Sequence, residues 1–430
     1  MPTDPPAPRT RQIAAAVIGN ALEWYDFIIF GNLTIVISRL FFPTESQYAS
    51  LLLTTATFGV GFFMRPVGGI LLGIYADRKG RKAALQLIIS VMTIAIAMIA
   101  LAPPYAVIGV AAPAIIVAAR LLQGFATGGE FASATAFLVE SGLPNRRGFY
   151  GSWQMVGQGL AALVGAVLAA LLTRNLAPES LNSWGWRVPF LFGLLIGPVG
   201  LYMRRHLEET RAFLESREEP RKTLSFAALL AAHAKSAVAC AGVVIAGTIS
   251  FYVILLYMPT FANTQLRLTL GQAFTAQAIG LVCMVVVTPF SGVLSDRIGR
   301  KPIMIAALAA YLILLYPLFL WVHTNPSFSN LMVMQIVFCI LLGAFIGPFS
   351  TSMAEQFPAR MRSTGMAVAY NVAVMSFGGF AQFFVTWLTK ATGSPIAPAF
   401  YVMFGAAVGL VAAFFLVERP AGDTSLLAQR

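Results

Sequence analysis

Gly73-Ile-Tyr-Ala-Asp77-Arg78-Lys-Gly80-Arg81-Lys82 and, 219 residues further on, Gly292-Val-Leu-Ser-Asp296-Arg297-Ile-Gly299-Arg300-Lys301 are two copies of one pattern. Its glycines let helix ends approach closely, and its aspartate and arginines can form charge-assisted pairs that break and remake. A second match follows in the same order: Glu140 precedes Arg147 by seven residues, as Glu355 precedes Arg362, at an offset of 215. Charges that merely terminate helices would explain one copy. Two copies at matching places imply an internal duplication.

What flanks these motifs is apolar. Of 430 residues, 58% are hydrophobic and 11% charged, whereas soluble proteins carry roughly 25% charged residues. The chain therefore needs lipid as its solvent. Its apolar blocks, near 13–40, 50–76, 83–102, 113–140, 149–173, 187–205, 234–259, 270–295, 302–322, 330–355, 363–389 and 397–418, are long enough as helices to cross a hydrocarbon core of about 30 Å. A membrane β-barrel would instead alternate in polarity over segments of about ten residues. The first block carries Glu23 and Asp26, which the core of a cleaved signal peptide would not, so it is expected to remain as a span. Cys240, Cys283 and Cys339 fall inside spans without paired spacing and read as small buried residues.

A net charge of +12 raises nucleic acid as a partner, but position accounts for it. With a cytoplasmic N-terminus, most Lys and Arg fall in cytoplasmic segments: Arg9, Arg11, Arg78 to Lys82, Arg146, Arg147, Arg204 to Lys235, Arg297 to Lys301, Arg360, Arg362, Arg419 and Arg430. Only Arg39, Arg174, Arg187, Arg267 and Lys390 lie on the other side, and Arg65 and Arg120 within spans. This is the positive-inside asymmetry, and it places both termini in the cytoplasm. The segment 206–233 mixes Glu208, Glu209, Glu215, Glu218 and Glu219 with basic residues and reads as a solvated connector.

Six spans repeated in parallel, with the ten-residue motif in each half, resemble the major facilitator superfamily. That resemblance implies an all-α membrane protein of 12 transmembrane helices in two pseudo-symmetric six-helix domains, 1–205 and 234–430, joined by the linker 206–233. The expected gating set is Asp77, Arg78, Arg81, Glu140 and Arg147 in the first half and Asp296, Arg297, Arg300, Glu355 and Arg362 in the second. Together they would form a latch that holds the cytoplasmic side shut.

Glu23, Asp26, Arg65, Arg120 and Glu130 lie well inside spans, where each costs a few kcal/mol or more unless paired or hydrated. At about 1.5 Å per residue, all but Arg120 fall about 15 to 20 Å from the cytoplasmic end, near the midplane. Helical spacing aligns Asn20, Glu23, Asp26 or Phe27, and Phe30 on span 1 and Arg120, Gln123, Thr127 and Glu130 on span 4; Gln154 and Gln158 share a face of span 5, and Asn371 and Gln382 one of span 11. A permanent pair of Glu23 or Asp26 with Arg65, and interhelical bonding by the amides, stay open as structural alternatives. The 215-residue offset sets Gln335 against Arg120, so symmetry does not require that cation, and a guanidinium suits bidentate capture of a carboxylate. Arg120, Gln123, Gln154, Gln158, Asn371 and Arg65 are thus candidate substrate ligands. Desolvated carboxylates at Glu23, Asp26 and Glu130 can bind and release protons.

Further segments resemble the metabolite:proton symporters within that superfamily, with greatest likeness to bacterial citrate and tricarballylate transporters. They are Gly19-Asn20-Ala-Leu-Glu23-Trp-Tyr-Asp26-Phe27, Phe63-Met64-Arg65-Pro66-Val-Gly68, Arg120-Leu-Leu-Gln-Gly124-Phe, Ser152-Trp153-Gln154, Trp184-Gly-Trp-Arg187-Val-Pro189-Phe and Arg204-Arg205-His-Leu-Glu208-Glu-Thr. The likeness implies import of an organic acid with protons across a bacterial inner membrane. Similar patterns serve 2-oxoglutarate, shikimate, proline and betaine, and no residue excludes sodium coupling. A small anionic metabolite, lipid and no nucleic acid are the expected partners of a monomeric working unit without a cofactor. An exporter's Gly-Pro motif is not seen, since 149–173 contains no proline. An enzyme is disfavoured: His206, His233 and His323 have no metal spacing, and no nucleophile or Walker motif is present.

Overall fold

The computed structural model describes residues 9–79, 81–128, 130–141, 143–195, 197–198, 233–358 and 362–418. Among them all regular structure is helical. Span 1 is Arg9–Asn32, continued by Thr34–Phe41 after a 65° bend. Span 2 is Gln47–Lys79, span 3 Arg81–Leu101, span 4 Ala111–Ala126 followed by Glu130–Ser141, and span 5 Arg147–Asn175. Span 6 opens with Arg187–Gly193.

In the second half, span 7 runs through Ala234–Ser250, a wide π-helical turn Phe251–Tyr257, and Met258–Thr264. Spans 8 and 9 are Leu270–Ile298 and Arg300–Thr324; span 10 is Phe328–Ile346 with Phe349–Glu355. Span 11 is Arg362–Ala373, a second π turn Val374–Gly378, and Ala381–Thr392; span 12 is Ala397–Phe415. Eight of these helices are individually long and apolar enough to cross a membrane, the bent pair of span 1 makes a ninth, and Gln86–Leu101 and Ala111–Ala126 are shorter apolar helices. The linker residues 206–232 lie outside the described residues.

Polarity is arranged inside out. Phe290, Ile313 and Phe415 are 70%, 72% and 72% exposed, while Asp26, Arg120, Gln123 and Gln154 are fully buried. Water as solvent would penalise both sets; lipid around a polar interior penalises neither.

Helices that lack a hydrophobic drive to associate within lipid rely on close packing at small residues. Between spans 2 and 4 that contact is backbone on backbone: a Cβ on Gly124 would overlap the Gly61 carbonyl, and one on Gly68 the Phe125 carbonyl. Gly124→Ala should therefore force the two helices apart, at a cost of roughly 1–3 kcal/mol or more. The expected result is a lower midpoint of thermal unfolding in detergent; an unchanged midpoint would show that the approach is not tight.

Besides the turns within spans 7, 10 and 11, spans 4 and 1 depart from the continuous helices expected. Span 4 breaks at Thr127 and Gly128, where Gly128 packs on the Arg65 backbone and its carbonyl accepts a hydrogen bond from Asn371 at 2.9 Å, across the two halves. Span 1 bends at Leu33, where Thr34 turns its hydroxyl back onto the Gly31 carbonyl at 2.7 Å. The 219-residue offset carries Leu33 to Tyr252, inside the π turn of span 7, so the two related spans are irregular at the same place.

Candidate functional site

The halves meet along spans 5 and 8, which run antiparallel from Gly148 against Gly292 and Ser295 at one end to Arg174 against Gly271 at the other. Spans 1 and 2 of the first half meet spans 7 and 11 of the second, with the Trp24 ring 6.3 Å from Phe251 and Phe63 5.3 Å from Phe380. The polar interior lies between these pairs.

Its centre is a chain of three side chains. Arg120 Nη1 donates to Gln123 Oε1 at 2.6 Å, and Gln123 Nε2 donates to Asp26 Oδ2. One turn of span 4 separates Arg120 from Gln123, which lets the amide face the cation with its oxygen and the carboxylate with its nitrogen. The guanidinium of Arg120 is enclosed by Phe27, Phe30 and Phe58, 4.5, 4.7 and 4.9 Å from their ring centroids, and Nη2 reaches the Phe58 carbonyl at 3.4 Å. Asp26 and Arg120 are both 0% exposed.

Arg65 is placed differently. It lies among Phe62, Trp24, Tyr370 and Phe27, 5.3 to 5.9 Å from their centroids, a cation–π enclosure drawn from both halves. It also lines a narrow cavity with Asn20, Glu23, Trp24, Phe27, Thr127 and Phe131. Arg120 is not among the residues lining it. The helical stripe that groups Arg120 with the substrate ligands thus gives its face but not its reach; of the two arginines, it is Arg65 that meets open space.

The amides divide similarly. Asn20 and Gln154 bond reciprocally, Asn20 Nδ2 to the Gln154 carbonyl at 3.1 Å and Gln154 Nε2 to Asn20 Oδ1 at 3.0 Å, tying span 1 to span 5. Asn371 serves the break in span 4, and Gln382 accepts from Thr34 at 3.2 Å. Gln158 lines a second cavity between the halves, with Trp24, Thr248, Phe251, Tyr252 and Tyr370 among its other walls. Trp24, Tyr252 and Tyr370 line these cavities and were not among the candidates read from the sequence; aromatics in an apolar span carry no signal that separates a cavity wall from core. The Glu130 side chain lies outside the described residues.

At the end of the interface that carries the duplicated motif, Asp296 accepts from the backbone N–H groups of Gly148 and Phe149 at 2.8 and 3.0 Å. A carboxylate of the second half thereby caps the first turn of span 5, where unpaired N–H groups and the helix dipole favour an anion. Arg362 reaches Glu140 across the halves at 2.5 Å, and Thr351 donates to the Arg147 carbonyl at 2.9 Å. Arg300 joins Asp296 and Glu355 within the second half, at 2.9 and 3.2 Å, and Arg297 is exposed. Gly299 adopts φ +98°, a backbone conformation that favours glycine, and the Glu418 carboxylate lies against it. The side chains of Asp77, Arg78 and Arg81 lie outside the described residues.

Asp296→Asn removes the charge from this cap, which is worth about 1–2 kcal/mol when partly buried. A cysteine introduced at Ser152, beside Gly292, should then react several-fold faster with a thiol reagent. Unchanged labelling would show that Asp296 does not hold this end shut.

At the opposite end, Asn32 accepts from Gln277 at 3.1 Å and Gln382 from Thr34 at 3.2 Å. Both bonds flank the bend in span 1. The halves thus touch at both ends, with the charged and aromatic centre between them.

The model of the Major Facilitator Superfamily matches residues 15–381 and, again, 268–429, the latter within the second half. The chain is 37% identical over 401 residues to the citrate-proton symporter of Salmonella typhi, covering 93% of this chain and 92% of that protein. To the citrate-proton symporter of Klebsiella pneumoniae it is 36% identical, covering 96% and 93%. The proline/betaine transporter of Salmonella typhimurium is 32% identical, covering 95% and 83%. Among solved structures, a D-xylose-proton symporter superposes with a TM-score of 0.76 over 95% of this chain and 97% of that one, at 18% identity; that likeness concerns the fold.

Proposed function

The chain belongs to the Major Facilitator Superfamily and is a multi-pass membrane transporter rather than an enzyme, and we propose that it imports an organic acid of the citrate type together with protons by alternating access. The observation that carries this reading is an arginine on a cavity wall, Arg65, in the same polar interior as a fully buried carboxylate, Asp26, that is bonded through Gln123 to Arg120. Arg65 would hold a substrate carboxylate through its planar fork. Asp26 would take the coupled proton, with Gln123 and Arg120 answering the change in charge. Glu23 and Glu130 are further candidates for proton transfer.

The bipartite arrangement, 1–205 and 234–430 around a linker at 206–233, supplies the two bodies that would rock about this centre. Asp296, Glu140 and Arg362 would be remade and broken at the cytoplasmic side, with both termini on that side of a bacterial inner membrane. The names of the two citrate-proton symporters support the substrate class and the coupling ion.

A second reading has its own support: a zwitterion such as proline or betaine, from the relative at 32% identity and from the aromatic enclosure of Trp24, Phe27, Phe62 and Tyr370. Aromatic rings suit quaternary ammonium groups, but here they already surround Arg65, so a ligand cation would have to displace it. Uptake of radiolabelled citrate, 2-oxoglutarate and proline into vesicles separates the two. Selective uptake of citrate is expected; selective uptake of proline would overturn the organic-acid reading.

A further inference from the structure

Three polar groups in the second cavity have no part in the mechanism above. Gln158 on span 5 and Thr248 and Tyr252 on span 7 line it, at 4%, 7% and 2% exposure. Gln158 Nε2, Thr248 Oγ1 and Tyr252 Oη each find no hydrogen-bond partner among the described residues. A buried polar group left unpaired is destabilising, and three such groups on one wall, drawn from both halves, point to a ligand that completes them.

The chemistry of the wall narrows the ligand group. Its other residues are largely apolar, among them Trp24, Met155, Phe251 and Phe349, and among the described residues no Lys, Arg, His, Asp or Glu lines it. An ionised carboxylate would be poorly compensated there. A hydroxyl fits: it can accept from the Gln158 amide and from one side-chain hydroxyl while donating to the other. The Tyr252 ring is fixed edge-on to Phe58 and Phe62, with centroids 5.7 and 5.6 Å away, so its hydroxyl is held in place.

The two cavities share a wall residue. Trp24 lines both, and Tyr370, which lines the second, lies over the Arg65 guanidinium at 5.8 Å. One small molecule can therefore place a carboxylate at Arg65 and a neutral group beyond Trp24. We infer that Gln158, Thr248 and Tyr252 form a subsite that reads a substrate hydroxyl, so that the chain takes a hydroxylated polycarboxylate in preference to its deoxy analogue. This inference rests on the organic-acid reading proposed above.

Citrate and tricarballylate differ by one hydroxyl and make the test. Their uptake is compared in vesicles carrying the unaltered chain, Tyr252→Phe or Thr248→Val, each variant first checked for a monodisperse profile in detergent. The Phe ring keeps the contacts with Phe58 and Phe62. The unaltered chain should prefer citrate by at least about tenfold in kcat/KM, because tricarballylate leaves the three groups unpaired. Each variant should lose that preference through slower citrate uptake, with tricarballylate uptake unchanged or faster. Equal uptake of both acids by the unaltered chain, or an equal fall for both acids in the variants, would overturn the subsite while leaving the organic-acid reading standing. Transport of neither acid, with uptake of another solute, would remove that reading and the subsite with it.

Discussion

Asp26→Asn is expected to abolish uphill accumulation of the organic acid driven by an inward proton gradient, while exchange of internal for external substrate continues. The amide has nearly the shape of the carboxylate and can still accept from Gln123 Nε2, so the contact between spans 1 and 4 survives the substitution. It cannot take up a proton. Because Asp26 is fully buried, its charge is compensated through Gln123 and Arg120 rather than by water. Protonation during transport would change that balance at the centre of the molecule, next to the helices that line the first cavity. Vesicle counterflow with labelled substrate measures the exchange, and accumulation under an imposed gradient measures the coupling. Loss of both would make Asp26 part of substrate binding or folding; retention of both would move the proton site elsewhere.

The second large effect is expected of Arg65→Lys. The cation would remain among Trp24, Phe27, Phe62 and Tyr370, since aromatic faces accept an ammonium as well as a guanidinium. What disappears is the planar fork, and with it one of two charge-assisted hydrogen bonds to a carboxylate. Such a bond is worth about 1.5–3 kcal/mol, or roughly 10- to 100-fold in kcat/KM at 1.4 kcal/mol per decade. Initial rates of uptake over a range of citrate concentrations check this, and the loss should fall mainly on KM. Normal kinetics with a lower yield of folded protein would instead return Arg65 to a purely structural role.

The fold was readable because membrane helices announce themselves twice, by apolar length and by the distribution of Lys and Arg, and because the duplicated motif aligned the halves. The irregularities were less readable. The bend of span 1 at Leu33 has only Gly31 nearby as a sign, and what accompanies it is the Thr34 hydroxyl on the Gly31 carbonyl and contacts from Gln277 and Gln382 in the other half. The break in span 4 had a local sign in Gly128 and Gly129, but glycine is also common where membrane helices merely pack.

In the site, composition singled out the buried charges as the polar residues to follow. Helical spacing then placed Arg120 and Gln123 on one face, and the structure does join them. Spacing could not show that three phenylalanines close over Arg120 while Arg65 reaches a cavity. Nor could charge complementarity find the contact that Asp296 makes across the halves, because there it meets the backbone N–H groups of Gly148 and Phe149, while its oppositely charged neighbour, Arg300, lies in its own half.

The central claim is that organic acid and proton cross together. Its most direct measurement is the internal pH of vesicles carrying the chain, followed by a trapped dye after citrate is added outside with no pH gradient imposed. The account predicts acidification inside that depends on citrate and disappears in Asp26→Asn. Citrate entry in the same vesicles with no change in internal pH would contradict it.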